Sequence, residues 1–272
     1  MGEPDLRGQR NAVADAAAAV DRVLLAMVAV GAIAVAASEA TGERAWLFAA
    51  WTAAILLEVV LLIASSSRWA DRVLASANVE HLAERFGLLV VIVLGESVLT
   101  IVATMNGSWN LASGLSAAVS LAIIGLMAWT FFLYSAESLA AGFESLRERG
   151  DVRGIRDTFA LLPFLLVAGV AAISGAIAAG IHHPDERMPL ASAVSSGGGI
   201  ALFYLTNAVI ALRFGRRPRA VAIWAGTALL LSAGVLAVAL TQEVGTALVS
   251  AMVALGLIVG LTEVNTRRAA RV

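Results

Sequence analysis

Cysteine is absent from the 272-residue chain, which excludes disulfide bonds, thiolate metal ligands and thiol nucleophiles. Charged residues are also scarce, at 14% of the sequence, whereas soluble domains have about 25%. Hydrophobic residues make up 60%, and the mean hydropathy is +0.86. A chain of this size cannot bury that excess in one water-soluble core. The composition therefore predicts a membrane protein, and it excludes a disordered chain and a nucleic-acid-binding surface.

Eight continuous apolar stretches approach or exceed the length that a helix needs to cross a hydrocarbon core about 30 Å thick. They are residues 23–38, 45–64, 86–104, 111–136, 158–181, 190–212, 220–240 and 244–264. The apolar runs are continuous rather than alternating, which favours helices over a β-barrel. The sequence thus predicts an all-α membrane protein, a polytopic bundle of about eight transmembrane helices in contact with the lipid bilayer.

Arginine is distributed unevenly between the segments that connect these stretches. Every one of the 19 basic residues is an arginine, and all except Arg44 and Arg187 fall in the two termini or in the second, fourth and sixth connections. Cytoplasmic segments carry such a basic excess. We therefore expect a multi-pass protein of the inner membrane with both termini in the cytoplasm. Residues 1–20 would be loose, 21–265 a single transmembrane domain, and 266–272 a cytoplasmic tail.

The fourth connection contains Leu139, Phe143 and Leu146 at helical spacing. This pattern predicts a short amphipathic helix lying on the inner leaflet.

Two carboxylic acids fall inside predicted spans, where an ionisable group is costly and indicates a function. Glu96 lies near the middle of the third span beside Ser97, and Glu58 lies in the inner half of the second. A carboxyl group that gains and loses a proton at this depth suits a proton relay or a cation site. The structural alternative is a protonated acid that hydrogen-bonds a neighbouring helix.

The residues that lead into the third span extend this prediction. His81, Glu84 and Arg85 precede Glu96 on what the pattern predicts to be one continuous helix. Arg85 and Glu96 are eleven residues apart, which returns them almost to the same helix face at an axial distance of roughly 16 Å. They would line one face from the cytoplasm to mid-membrane. The alternative is a solvated helix start from which Arg85 snorkels to the interface.

The same segment resembles a known family. Residues 81–88 (H-L-A-E-R-F-G-L) and 92–97 (I-V-L-G-E-S) are similar to the signature of the bacterial low temperature requirement A (LtrA) family. The similarity extends over roughly residues 78–240, through the aromatic end of the fourth span and the Arg-rich end of the sixth. It implies a multi-helix inner-membrane protein, but it implies no substrate.

The resemblance implies that Glu84, Arg85, Gly95 and Glu96 are important, because they belong to its most specific motifs. The chain also departs from the family pattern in two ways. We find no acidic, Phe-rich motif of the E-L-F-F-D-L type near the N-terminus, and Leu161 stands where the family has a histidine before the Leu-Pro pair. If these elements complete a site in typical members, the site of this chain is reduced or altered.

Two of the spans contain glycines in a pattern that allows close helix packing. Three consecutive glycines, 197–199, lie near the middle of the sixth span, before Asn207. The helix could unwind there and offer carbonyl groups to a cation, but we favour close helix packing. Gly256 and Gly260 form a G-x-x-x-G pattern in the eighth span. Such small-residue faces pack helices within one chain or between chains, which would allow a homo-oligomer.

Motifs for enzymes and for bound groups are missing. There is no phosphate-binding Gly loop, no H-E-x-x-H and no nucleophile elbow, so we expect no enzyme. His182 and His183 have no second cluster of ligands, so we expect no metal and no cofactor.

Our first hypothesis is a small transporter of an ion, a proton or a polar solute. Its site residues would be Glu96, Glu58, Arg85, Glu84, His81, Ser97 and Asn207. The alternative is a non-transporting membrane scaffold or stress-response regulator, and a weaker one is an intramembrane lipid-modifying enzyme.

Overall fold

The computed structural model of the protein describes residues 78–106, 109–132 and 137–269, together with Ala53, Leu57 and Val60, which are helical. The long segments belong to one compact unit, Leu74–Val272. The predicted span 23–38 lies outside the described residues, and so does 45–64 apart from Ala53, Leu57 and Val60. Glu58 and the predicted loose N-terminus also lie outside them.

Helices account for nearly all of the described chain. In chain order they are α1 (Val79–Met105), α2 (Leu111–Thr130), α3 (Glu137–Glu148), α4 (Val152–Arg156), α5 (Leu162–His182), α6 (Leu190–Arg213), α7 (Pro218–Thr241) and α8 (Val244–Ala269). One π-helical segment, Asp157–Leu161, joins α4 to α5. The β contact that the described part contains is an isolated bridge between Arg187 and Glu243.

Six of the helical segments are long and apolar enough to cross a membrane. They are Val79–Met105, Leu111–Thr130, Val152–Ile181, Leu190–Arg213, Pro218–Thr241 and Val244–Asn265. They coincide with the last six spans that the sequence predicts. The main difference from the predicted spans is where two of the helical segments begin. Helix α1 and the continuous segment formed by α4, the π-helical turn and α5 each begin several residues before the predicted apolar run.

Side-chain caps account for several helix boundaries. Asn78 accepts a hydrogen bond from the backbone N–H of Glu80 at 2.9 Å, and so begins α1. Asn110 and Asp151 do the same for α2 and α4, as residues of this type do at helix starts. Gly215 ends α6 with a positive φ of 79°, a conformation that a residue without Cβ adopts at little cost.

Helices α5 and α6 pack closely through glycine. A Cβ atom added to Gly199 would lie 2.7 Å from the carbonyl oxygen of Gly169 on α5, which is inside van der Waals distance. A Cβ atom on Gly197 would meet Leu236 of α7. Because α6 continues without a break through these glycines, the structure agrees with the packing alternative and not with an unwound helix.

The G-x-x-x-G pattern of α8 has a different environment. No atom of the described chain lies within 4 Å of a Cβ built on Gly256 or Gly260. The two glycines therefore do not pack helices within this part of the chain, and contact between chains stays a prediction.

The amphipathic helix predicted in the fourth connection is present as α3, but its apolar face is not free to enter lipid. Leu139, Phe143 and Leu146 are buried within the protein. Phe143 packs edge-on against Phe214, which follows α6, with ring centroids 5.5 Å apart. The prediction that the apolar face of α3 rests on the inner leaflet is wrong, because other parts of the protein cover that face.

The two ends of the bundle differ in charge. Phe86 near the start of α1 stacks on Phe131 after α2, with centroids 5.9 Å apart, so α1 begins where α2 ends. The connections α5–α6 and α7–α8 meet at the opposite end, where the N–H of Val244 donates to the carbonyl of Glu186 at 2.9 Å. All arginines of the described chain except Arg187 lie at the first end, which we call the basic end.

Candidate functional site

Most of the predicted site residues lie on α1. His81, Glu84, Arg85 and Glu96 are exposed, and Ser97 is buried. Helix α1 is 27 residues long, which corresponds to roughly 40 Å. Glu96 lies seventeen residues after its start, at about 26 Å along the axis, and therefore within the membrane-crossing part.

Glu96 projects from an apolar surface. Ile92, one turn earlier, is 67% exposed and Leu99, almost one turn later, is 63% exposed. The backbone carbonyl of Glu96 accepts a hydrogen bond from the hydroxyl of Thr100 at 3.0 Å. Within the described chain, no side chain pairs with its carboxylate. The acid thus faces away from the packed interior of the described helices.

Ser97 faces the other way. Its side chain donates to the carbonyl of Val93 at 3.0 Å and accepts from the hydroxyl of Ser174 on α5 at 2.7 Å. Consecutive helix residues point about 100° apart, so this contact fixes the rotation of α1 and turns Glu96 off the α1–α5 interface. The two neighbours that the sequence grouped together therefore have different environments.

A shallow groove lies at the basic end between α1 and α3. Its volume is about 670 Å³, and His81, Glu84 and Gly87 line it together with Leu139 of α3. The Nδ1 atom of His81 lies 3.4 Å from Glu84 Oε2. Within this segment the structure brings His81 and Glu84 together, while Arg85 is exposed outside the lining. His81 and Glu84 lie more than three helix turns before Glu96, and neither touches it.

Asn207 occupies the interior of α6. Its side chain is buried and donates to the carbonyl of Phe203 at 2.9 Å. One turn earlier, the hydroxyl of Tyr204 lies 3.1 Å from Thr130 Oγ1 on α2. The pairing of Tyr204 with Thr130 joins residues 74 positions apart, and no local pattern in the sequence indicates it.

Metal ligands do not cluster in the part of the chain that the structure describes: no three His, Asp or Glu residues are arranged there to hold an ion. The residues available at Glu96 therefore offer one carboxylate, with hydroxyl groups of Thr100 and Ser97 engaged by the helix itself. That arrangement can bind a proton or a weakly held cation.

Six long apolar helices packed against one another define a multi-pass helical membrane protein. Its residues 6–259 match the family model described as bacterial low temperature requirement A protein (LtrA). The chain belongs to this family. The match extends on both sides of the segment 78–240 on which the resemblance rests, and it includes the N-terminal part that lacks the expected motif. Comparison with curated proteins and with solved structures gave no significant match.

Proposed function

We propose that this protein moves a proton or a small cation across the membrane and that Glu96 is the group that binds it. The observation that carries the proposal is the position of this carboxyl group, within a membrane-crossing helix and between two exposed apolar side chains. A charged group at such depth costs several kcal/mol. An acid that binds a proton or a cation there avoids that cost for as long as the ligand is bound.

The charge asymmetry supports an orientation for the proposed pathway. All arginines of the described helices except Arg187 lie at the basic end, which the positive-inside rule assigns to the cytoplasm. Both termini would then be cytoplasmic, in an inner-membrane bundle of about eight spans. His81, Glu84 and Arg85 would form the cytoplasmic approach, since Arg85 and Glu96 share one face of α1. The role predicted for Glu58, which lies outside the described residues, stays a prediction.

A flux assay tests this proposal. Purified protein is reconstituted into liposomes, and proton, sodium and potassium gradients are imposed in turn, each with an internal dye that responds to that ion. The variant Glu96→Gln keeps the size of the side chain but cannot ionise. The matched control is Glu148→Gln, the same change at an exposed site on α3.

We expect the wild type and the control to dissipate at least one gradient. Glu96→Gln should do so at least about a hundredfold more slowly, because a side chain that transfers protons contributes about 10²–10⁴-fold to a rate. Equal flux through Glu96→Gln, or no wild-type flux above empty liposomes for any ion, would contradict the proposal.

The alternative is a non-transporting scaffold or stress-response regulator, and one feature of the interior favours it. Several buried hydroxyl groups are satisfied by a carbonyl of their own helix, as in Ser120 to Ser116 at 2.7 Å, Ser232 to Ala228 at 2.7 Å and Thr206 to Leu202 at 2.8 Å. A hydroxyl bonded in this way has its only proton engaged, so it has no hydrogen bond left to donate to a passing anion or polar solute. The absence of flux for every ion, with an intact fold, is the result that this alternative predicts.

A further inference from the structure

A half-buried ion cluster lies at the basic end, where the π-helical segment begins. Asp157 Oδ1 accepts from the Nη2 atom of Arg156 at 3.0 Å, and Asp157 Oδ2 lies 3.3 Å from the Nη1 atom of Arg213 at the end of α6. The side chains of Arg156 and Asp157 are only 16% and 21% exposed. One carboxylate is thus shared between two guanidinium groups, at a depth where water screens charge less than at the surface.

A third guanidinium group adds to the positive charge. Arg149, after α3, donates through Nη2 to the carbonyl oxygen of Arg213 at 2.9 Å. It has no carboxylate partner within the described chain, so the cluster of Arg149, Arg156, Arg213 and Asp157 carries a formal charge of +2. Arg147 does not contribute, because Glu144 binds it at 2.7 Å, and this hydrogen bond raises the pKa of Arg147 above its ordinary value.

Two buried donors, one in the cluster and one two residues away in the chain, have no acceptor within the described residues. The Nη1 atom of Arg156 is shielded from solvent and has no hydrogen-bond partner in the part of the chain that the structure describes. The same holds for the hydroxyl of Thr158, two residues later, whose side chain is fully buried. Buried donors are rarely left unpaired, because a donor that has lost water without gaining a partner is destabilising, and more so when it is charged. An anionic oxygen next to Arg156 would remove that cost.

Exposed arginines surround the cluster. Arg153 lies one turn before Arg156 on α4, and Arg216 and Arg217 follow Arg213 in the turn that Gly215 holds. All three are exposed and have no carboxylate partner among the described residues. This turn joins the ends of two membrane-crossing helices, so it lies at the depth of lipid headgroups.

We infer that the cluster of Arg149, Arg156, Arg213 and Asp157 binds a phosphate group, carried either by an anionic phospholipid or by a soluble phosphate compound. Guanidinium groups bind phosphate oxygens through paired, charge-assisted hydrogen bonds. The excess positive charge attracts the anion, and the unpaired Nη1 atom of Arg156 provides a donor that the protein itself does not satisfy. The inference does not depend on ion transport through Glu96.

Thermal unfolding of the full-length protein tests the site with two probes. One is inorganic phosphate added to protein in zwitterionic detergent. The other is phosphatidylglycerol, compared with phosphatidylcholine alone, in lipid nanodiscs. The variants are Arg156→Gln and Arg149→Gln, and the matched control is Arg187→Gln, which removes the same charge at the opposite end of the bundle.

We expect at least one probe to raise the unfolding temperature of the wild type and of Arg187→Gln, since a ligand that binds only the folded state stabilises it. The apparent affinity for the probe that stabilises the wild type should fall about tenfold in each cluster variant, as expected for the loss of one charge-assisted hydrogen bond. A response to phosphate identifies a soluble ligand, and a response to phosphatidylglycerol alone identifies a lipid.

The inference is overturned if neither probe shifts the wild type, or if the control loses affinity as much as the cluster variants do. Arg149 lies on the exposed side of the cluster, so Arg149→Gln gives a result even if Arg156→Gln does not fold.

Discussion

At the scale of the residue, a few polar contacts between helices stand out in an apolar interior. Ser97 bonds to Ser174, and Trp224 donates from Nε1 to Thr262 Oγ1 at 3.0 Å. Tyr204 pairs with Thr130. Each contact joins two membrane-crossing helices. Since lipid tails are as apolar as leucine, such hydrogen bonds and close packing hold helices together in a membrane.

The pair of Tyr204 and Thr130 gives a prediction about stability. The variant Tyr204→Phe keeps the ring packed against Phe203 and Trp224 but loses the hydroxyl contact. We expect the free energy of unfolding to fall by about 1 kcal/mol, measured by titrating the protein from mild detergent micelles into a denaturing detergent.

The control is Thr227→Val, since the hydroxyl of Thr227 donates to the carbonyl of Ile223 in its own helix. Its effect should stay within about 0.5 kcal/mol. Equal losses in the two variants would show that the contact between α2 and α6 contributes nothing specific.

The sequence predicts Glu96 as a residue of interest but not the direction in which it points. Helix periodicity gives the angle between Glu96 and Ser97, about 100°. It does not say which of the two faces the protein. In a soluble helix the apolar stripe would decide, but Ile92 and Leu99 on the outer face of α1 are as apolar as Val90 and Leu94 on the inner one. The hydrogen bond between Ser97 and Ser174 settles the rotation, and it is a tertiary contact.

At the scale of the element, α5 and α6 approach each other through glycine. The three consecutive glycines of α6 differ in their surroundings. A Cβ on Gly199 would collide with the backbone of α5, but a Cβ on Gly198 would meet nothing within 4 Å. Neighbouring positions in one helix thus provide a matched pair.

We predict that Gly199→Ala lowers the free energy of unfolding by about 2 kcal/mol, the usual cost of overpacking. Gly198→Ala should leave it unchanged or raise it by up to about 1 kcal/mol, because alanine favours helix more than glycine does. The same detergent titration measures both. If the two substitutions have the same effect, or if Gly198→Ala is the more harmful, then the glycines do not serve close packing.

Periodicity predicts elements better than it predicts their surroundings. The spacing of Leu139, Phe143 and Leu146 correctly predicts the helix α3, but it cannot tell whether lipid or protein covers the apolar face. The cluster at Asp157 was not predicted for a related reason. Its partner Arg213 is 56 residues away in the chain, and the π-helical turn that presents Asp157 has no sequence signal.

At the scale of the whole molecule, the positions of apolar runs and arginines carry most of what the sequence can predict. The six membrane-crossing segments of the described chain match predicted spans because the bilayer thickness fixes their length. The arginines of the described chain, except Arg187, lie at one end of the bundle because they occur in alternate connections, and alternate connections lie on the same side of a bundle. Internal contacts do not follow from these constraints, since nearly every face of every span is apolar.

The central claim is that water or ions reach Glu96 at mid-membrane. The chain has no cysteine, so Glu96→Cys introduces a single thiol, and its reaction with a charged, membrane-impermeant thiol reagent can be timed in sealed vesicles. The control is Leu230→Cys, near the middle of α7 and 76% exposed. We predict that the thiol at position 96 reacts about tenfold faster or more, since the thiolate that reacts forms only where water enters. Equal inertness of the two thiols would contradict the claim, and so would equally fast reaction of both.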